Sequence, residues 1–253
     1  MAEPFPRLSE PWLRVLSMVT LLVVWELGAR IVDSSVLPAP WQVAASIYDH
    51  AAAGELLYHV GITLARVAVS FFIAMALGTA LGVFMGRNRR WNVLLDGVLV
   101  VGLNVPALVV IILCYIWFGL GEFAAILAVA VNKFPIVVVT MREGARAIDK
   151  DLLQVAEAFR INRRRTFFKV YLPQLYPYLV ASARSGLALV WKIVLMVELL
   201  GRSNGVGFKL SVYFQFFDIT SILAFSFAFI AVVMAIELFL LGPLDRRLTE
   251  WRP

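Results

Sequence analysis

Charge, cysteine and histidine are all scarce in this chain of 253 residues: 16% are Asp, Glu, Lys or Arg, with one cysteine and two histidines. A single thiol builds neither a disulfide framework nor a multi-cysteine metal site within one chain. Cys114, set inside an apolar run, reads as a small apolar residue. His50 and His59 fall nine apart in what reads as an outer loop and lack His-Glu-x-x-His spacing, so no hydrolase constellation emerges. No Gly-x-x-x-x-Gly-Lys-Ser/Thr run occurs, so the chain is not expected to bind or hydrolyse ATP by itself, and no cofactor is expected on it. Internal repeats, low-complexity stretches and composition breaks are missing too, and 1–253 reads as a single membrane domain.

Apolar residues are what the chain has: 61% are hydrophobic and the mean hydropathy is +0.85, an excess that calls for lipid as solvent. A spanning helix takes roughly 20 mostly apolar residues. Uninterrupted hydrophobicity places about six, at Leu13–Val32, Val60–Met85, Val93–Phe118, Leu120–Met141, Leu179–Leu200 and Ser221–Leu241. The expected fold is therefore all-α and polytopic. The first run, following the polar start Met1 to Pro11, is long and lacks a clean small-x-small cleavage site. It reads as a signal anchor rather than a cleaved signal peptide, with Glu26 and Arg30 paired at i,i+4. In the second span Gly78, Gly82 and Gly86 recur every fourth residue, spacing that lets a neighbouring backbone approach closely.

The net charge of +6 has a topological origin, because lysine and arginine mark cytoplasmic loops. With the N-terminus inside, only Arg30, Arg202 and Lys209 of the 23 basic residues fall on outer segments, while Arg66, Lys133 and Lys192 lie in spans. Both termini are thus expected in the cytoplasm, with Arg246 and Arg247 after Pro243 as a membrane anchor, not a nucleic-acid patch. The outer side receives an amphipathic segment at 33–59, carrying a short helix around Trp41 to Ala52 after the loop Asp33-Ser34-Ser35, and the loop 201–220.

The main cytoplasmic feature is 142–178. Leu152, Val155, Ala156 and Phe159 recur at helical spacing among polar neighbours, giving a short amphipathic helix. A second helix is expected after it, capped by Asn162, with Phe167, Phe168 and Tyr171 on its apolar face and Pro173 and Pro177 ending it before the fifth span. On physics alone this pair can lie on anionic lipid through Arg163, Arg164 and Arg165, or insert into a groove on a partner protein.

The same stretch, Leu152-Leu153-Gln154-Val155-Ala156-Glu157-Ala158-Phe159-Arg160 continued by Phe167-Phe168-Lys169-Val170-Tyr171-Leu172-Pro173, resembles the cytoplasmic EAA loop of binding-protein-dependent ABC importer permeases. The nitrate, sulfonate and taurine branch is the nearest in pattern. Leu37-Pro38-Ala39-Pro40, Thr63-Leu64-x-Arg66, Trp117-Phe118-Gly119-Leu120-Gly121-Glu122, Phe134-Pro135 and Glu198-Leu199-Leu200-Gly201 with Gly205-Val206-Gly207 are similar landmarks. Their order and spacing extend the resemblance over nearly the whole chain.

That resemblance implies a type I ABC importer permease fold in the bacterial inner membrane, working as two copies of the chain. Its implied partners are two ATPase subunits that bind ATP and magnesium, a periplasmic or lipid-anchored solute-binding protein and membrane lipid. Implied ATPase-coupling residues are Gln154, Val155, Ala156, Phe159, Arg160, Arg163, Arg164, Phe167, Phe168 and Pro173. Small organic or inorganic anions of the sulfonate type are the first substrate class; vitamin or pyrimidine precursors, or an autonomous carrier or channel, are the alternatives. Two positions depart from the family pattern. Gln154 replaces the usual glutamate and loses its charge. Arg160 replaces a glycine, at a cost of about 1 kcal/mol or more if that position needs positive φ, unless the turn shifts to Asn162.

Polar groups inside spans are pathway candidates. Lys192 offers an anion a positive site if it faces a dimer interface; pairing with a carbonyl or an acid is the alternative. Glu198 shares a face with Trp191, and Arg202 one turn later can neutralise it, which favours a structural or gating role. Asn104 and Pro106 either break the third span beside the path or only kink it. Lys133 has a structural reading beside the carbonyl that Pro135 frees, and Arg66 either snorkels or meets a carboxylate.

Overall fold

The computed structural model describes residues 10–32 and 36–241. The polar start with Arg7, the loop Asp33 to Ser35, and Pro243, Arg246, Arg247 and Arg252 lie outside them. Among the described residues there is no strand, and the chain folds as eleven helices: α1 (Glu10–Val32), α2 (Pro40–Ala52), α3 (Glu55–Arg87), α4 (Arg89–Asn104), α5 (Ala107–Phe118), α6 (Glu122–Arg146), α7 (Lys150–Ala158), α8 (Arg163–Thr166), α9 (Leu172–Gly201), α10 (Val206–Gln215) and α11 (Ile219–Ile236). Five helical stretches are long and apolar enough to cross a membrane, and the bent pair α4–α5 makes a sixth if it counts as one span.

The packing inverts the pattern of a water-soluble protein. Large apolar side chains such as Phe72, Val93, Leu94, Val98 and Met234 stand exposed, whereas Thr63, Arg66, Ser70, Lys133, Ser182 and Glu198 are buried. In lipid an interior polar group needs a protein partner, so these residues, apart from Ser70, whose buried Oγ has none, mark where helices lock.

Helices α3 and α6 form the spine, and the glycine stripe is the reason. A Cβ on Gly78 would sit 2.7 Å from Val137, one on Gly82 2.6 Å from the Val138 carbonyl, and one on Gly86 2.6 Å from Ala145. Only glycine allows this backbone approach. Helix α9 lies against both, with Val190, Trp191, Val194 and Val197 packed into a core shared with Val67, Ala128, Phe225 and Phe229. Helix α1 stays peripheral: Trp25 donates to the Pro38 carbonyl at 3.0 Å and its ring meets Phe227.

Of the two readings of Asn104 and Pro106, the break is the one found: the third span is two helices, α4 and α5, which meet at 98°. Pro106 has no N–H and holds Val105 in an extended conformation, and Asn104 closes α4 by donating to the Val100 carbonyl at 2.7 Å. At 1.5 Å per residue, α4 and α5 reach about 24 and 18 Å, each short of a hydrocarbon core of about 30 Å.

Two other expectations are corrected. Pro173 and Pro177 do not end a helix. One helix runs from Arg163 to Gly201, with a π turn at Phe167–Tyr171 whose longer hydrogen-bond register absorbs the proline. The Gln174 side-chain amide donates to the Val170 carbonyl at 3.0 Å within the same turn. Of the two histidines, His50 lies in α2, the short helix expected around Trp41 to Ala52, while His59 is not a loop residue but is buried in α3.

Candidate functional site

Two regions, at opposite ends of the α3–α6 spine, carry the candidate residues. The first is the α7–α8 loop. Asp149 caps α7, accepting from the Asp151 amide at 2.8 Å, and Asn162 caps α8, accepting from the Arg164 amide at 3.1 Å. Between them α7 ends in a Schellman turn: the Arg160 amide donates to the Glu157 carbonyl at 2.8 Å and the Ile161 amide to the Ala156 carbonyl at 2.9 Å. The left-handed position of that turn is Arg160, with φ +49°. The turn therefore does not move to Asn162, whose φ is −56°, and the arginine bears the strain.

The apolar residues of the loop divide between two faces. Ala156 and Tyr171 are buried and Leu153 half-buried against the bundle. Val155 is exposed, as are Phe168 at 55% and Phe159 at 78%. Phe167 is 40% exposed and stacks on Tyr171 at 5.7 Å, with Phe168 edge-on to it. Gln154, Arg163 and Arg164 are exposed around these rings. Pro173 sits inside the long helix rather than in a connection.

The second region is a buried ion network. Glu198 is fully buried and was expected to meet Arg202. It meets Arg66 instead, Nη1 to Oε1 at 2.7 Å, with Thr63 Oγ1 and the Gly207 amide donating to Oε2 at 2.9 Å each. Arg202 is the extended residue that leaves the end of α9, which takes it off the helical face of Glu198. It pairs with Glu122 at 2.7 Å and donates to the Leu120 carbonyl. Arg66 also reaches Glu122, at 2.9 Å through Nε, and the Asn204 carbonyl at 2.8 Å, tying α3, α6, α9 and the loop before α10 together. Gly205 (φ +106°) is required, since a Cβ there would lie 2.4 Å from both Glu198 carboxylate oxygens. The first amides of α10 are satisfied from α3: Gly205 donates to His59 Nδ1 and Val206 to Thr63 Oγ1, both at 2.9 Å. Sequence reasoning flagged Arg66 and Glu198 but not their pairing; two opposite charges buried in separate spans were the available signal.

On the outer face of this network Lys209 of α10 bonds Glu55 and lies 4.9 Å from the Tyr213 ring. Burial opposes its charge, but Glu55 and Tyr213 together hold its ammonium above the ordinary lysine value.

The five pathway candidates separate. Trp191 and Lys192 line one lateral cleft of about 290 Å³ between α9 and the end of α11, shared with Arg184, Phe229, Met234 and Glu237. Trp191 meets Phe229 edge-on at 5.8 Å, and Lys192 is exposed. Asn104 and Pro106 form the α4–α5 break, and Glu198 belongs to the ion network. Lys133, fully buried, reaches across to α9 and donates to the Ser182 carbonyl at 3.0 Å. Gly186 makes room for it, since a Cβ there would fall 1.8 Å from Nζ.

Comparison with known proteins gives this geometry a context. The profile of the family described as binding-protein-dependent transport system inner membrane component matches residues 78–247. The chain is 27% identical over 254 aligned residues to the taurine transport system permease protein TauC of Escherichia coli, covering 98% of this chain and 92% of that protein. A Bacillus subtilis protein assigned to aliphatic sulfonates transport, SsuC, is 29% identical, with 95% and 88% covered. The nitrate import permease protein NrtB of Synechocystis is 26% identical, with 80% and 76% covered. Among solved structures, the inward-facing MetNI methionine ABC transporter superposes with a TM-score of 0.64 at 20% identity, covering 75% of this chain and 94% of that one. The fold is that of a type I ABC importer permease.

Proposed function

This chain belongs to the family of binding-protein-dependent transport system inner membrane components, and we propose that it acts over 1–253 as one permease domain, two copies enclosing a path driven by separate ATPases. The chain carries no phosphate loop, so ATP and magnesium are held by the partner.

The exposure of Phe159, at 78%, with Val155 and Phe168 beside it carries this reading. These side chains stand on a capped, geometrically defined element, as anchors for a partner groove do. Gln154, Arg163 and Arg164 form a polar rim around them. The helix from Arg163 to Gly201 has 39 residues, about 58 Å at 1.5 Å per residue, so part of it projects beyond a hydrocarbon core of about 30 Å. Movement of the docked loop passes into the span without a flexible joint. The 98° break at Asn104–Pro106 supplies a hinge in the neighbouring span, and the glycine-packed α3–α6 pair moves as a body. The excess of Lys and Arg in the loops of that side supports a cytoplasmic α7–α8 end and cytoplasmic termini. The α10 end then faces the solute-binding protein.

For substrate, the names of the relatives and the exposed Lys192 beside Trp191 support a small sulfonate-like anion. Ala156 and Pro173 act from within, Ala156 packing α7 onto the bundle and Pro173 shaping the π turn; Arg160 sets the turn between the two docking helices.

The test is co-expression with the cognate ATPase, purification in nanodiscs and assay of ATP hydrolysis. Phe159→Asp with Phe168→Asp is expected to abolish copurification while the permease still inserts. Wild-type chain that purifies alone and transports solute without ATP contradicts the reading.

A further inference from the structure

Behind the face assigned to the ATPase lies a cavity of about 940 Å³ between the α7–α8 loop and the ends of α3 and α6. Five cations line it: Arg87, Arg146, Lys150, Arg160 and Arg163. One lining residue, Glu157, is acidic. Arg146 spends part of its charge on Glu143 at 3.1 Å; the other four cations make no ion pair among the described residues. Arg87 is held toward the cavity by the Tyr171 ring, 5.5 Å from its guanidinium carbon.

The wall is of two kinds. Beside the cations lie Leu153, Ile148, Ile161 and Phe167, so an occupant must bring negative charge and hydrocarbon together. Depth agrees with that, because Arg87 and Arg146 stand in the last turns of the spans α3 and α6, where hydrocarbon gives way to headgroups. The volume lies at the upper end of the roughly 300–1,000 Å³ typical of small-molecule sites, far more room than a free phosphate fills. Unpaired guanidinium groups suit phosphate oxygens through charge-assisted hydrogen bonds. Basic pockets between spans take acidic lipid headgroups on the same physical grounds.

We propose that the cavity beneath the α7–α8 loop binds the phosphate headgroup of an acidic membrane lipid, with the acyl chains leaving along the apolar wall. The cavity shares Arg160, Arg163 and Phe167 with the docking loop, whereas neither Phe159 nor Phe168 lines it; lipid occupancy is therefore measured on the permease alone, without the ATPase.

The experiment is native mass spectrometry of the full-length permease, delipidated in detergent and titrated with phosphatidylglycerol, phosphatidylcholine or inorganic phosphate. Wild type is compared with Arg87→Gln/Lys150→Gln and with the charge-matched control Arg165→Gln/Lys169→Gln, whose residues are exposed but do not line the cavity. Wild type and control are expected to retain phosphatidylglycerol in preference to phosphatidylcholine, and the lining variant to lose about tenfold or more in affinity. Two alternative outcomes overturn the proposal: equal loss in the control, which makes the effect general charge, or inorganic phosphate displacing phosphatidylglycerol at equal concentration, which makes the ligand a free anion. Circular dichroism of both variants checks that each retains wild-type helicity. If the lining variant does not, Arg87→Lys, which keeps the charge, must restore lipid retention for the proposal to stand.

Discussion

The two ends of the α3–α6 spine solve opposite problems. At the α10 end, Arg66, Glu122, Glu198 and Arg202 are paired within the chain, and the amides of Gly205, Val206 and Gly207 are satisfied by His59, Thr63 and Glu198. At the α7–α8 end, Phe159 and Phe168 lie in the open and Arg87, Lys150, Arg160 and Arg163 lack acidic partners among the described residues. One end pairs its charges within the chain, though Arg202 Nε is buried without a partner, and fixes the packing of spans. The other is shaped by its caps but leaves apolar and charged groups for something else to cover. Burial and partner satisfaction, more than residue type, tell the structural charges from the interacting ones.

Variants that break either end sharpen the contrast. Arg66→Met is expected to have the largest effect on stability. It strands the fully buried Glu198, and breaking a buried pair on one side costs about 3–5 kcal/mol; a thermal melt of the solubilised protein reads it. Adding Glu198→Leu should recover much of that loss, because the orphaned charge goes too.

Gly82→Ala tests the spine between the ends. Its Cβ would meet backbone atoms of α6, and overpacking of this kind costs about 1–3 kcal/mol in the same melt. At the open end the sign of the contrast changes. Phe159→Asp/Phe168→Asp should leave the melt within about 0.5 kcal/mol of wild type, as exposed positions do, yet reduce ATPase copurification at least tenfold. A gain comes next: Arg160→Gly relieves a left-handed residue and should stabilise the chain by about 1 kcal/mol in the melt, whereas the smallest effect is that of Asn162→Gly, which at a cap costs a few tenths.

Much of this architecture is legible in the sequence. Hydropathy placed the spans because lipid-facing helices need apolar side chains all round, and the spacing of Gly78, Gly82 and Gly86 foretold a close helix contact. Caps are local, so Asn162 was readable as one. What escaped depends on contacts between distant residues or on competition between backbone rules. Arg66 and Glu198 are 132 positions apart, and helical spacing alone favoured Arg202, which the end of α9 turns away. Pro173 carries a helix-stop signal that the π turn overrides, while Pro106 carries a similar signal that nothing overrides. The two-sided character of the α7–α8 loop was hidden because Val155, Ala156 and Phe159 share one apolar pattern, and only the packed structure shows Ala156 turned inward and the others outward.

The central claim, that the outward face of α7 is where a partner ATPase sits, has a direct measurement. The lone cysteine, Cys114, is buried, so Phe159→Cys introduces a single accessible thiol into an otherwise unreactive background. The account predicts prompt maleimide labelling of the permease alone and strong protection once the ATPase is bound. Labelling at the same rate with and without a stably bound ATPase would contradict it.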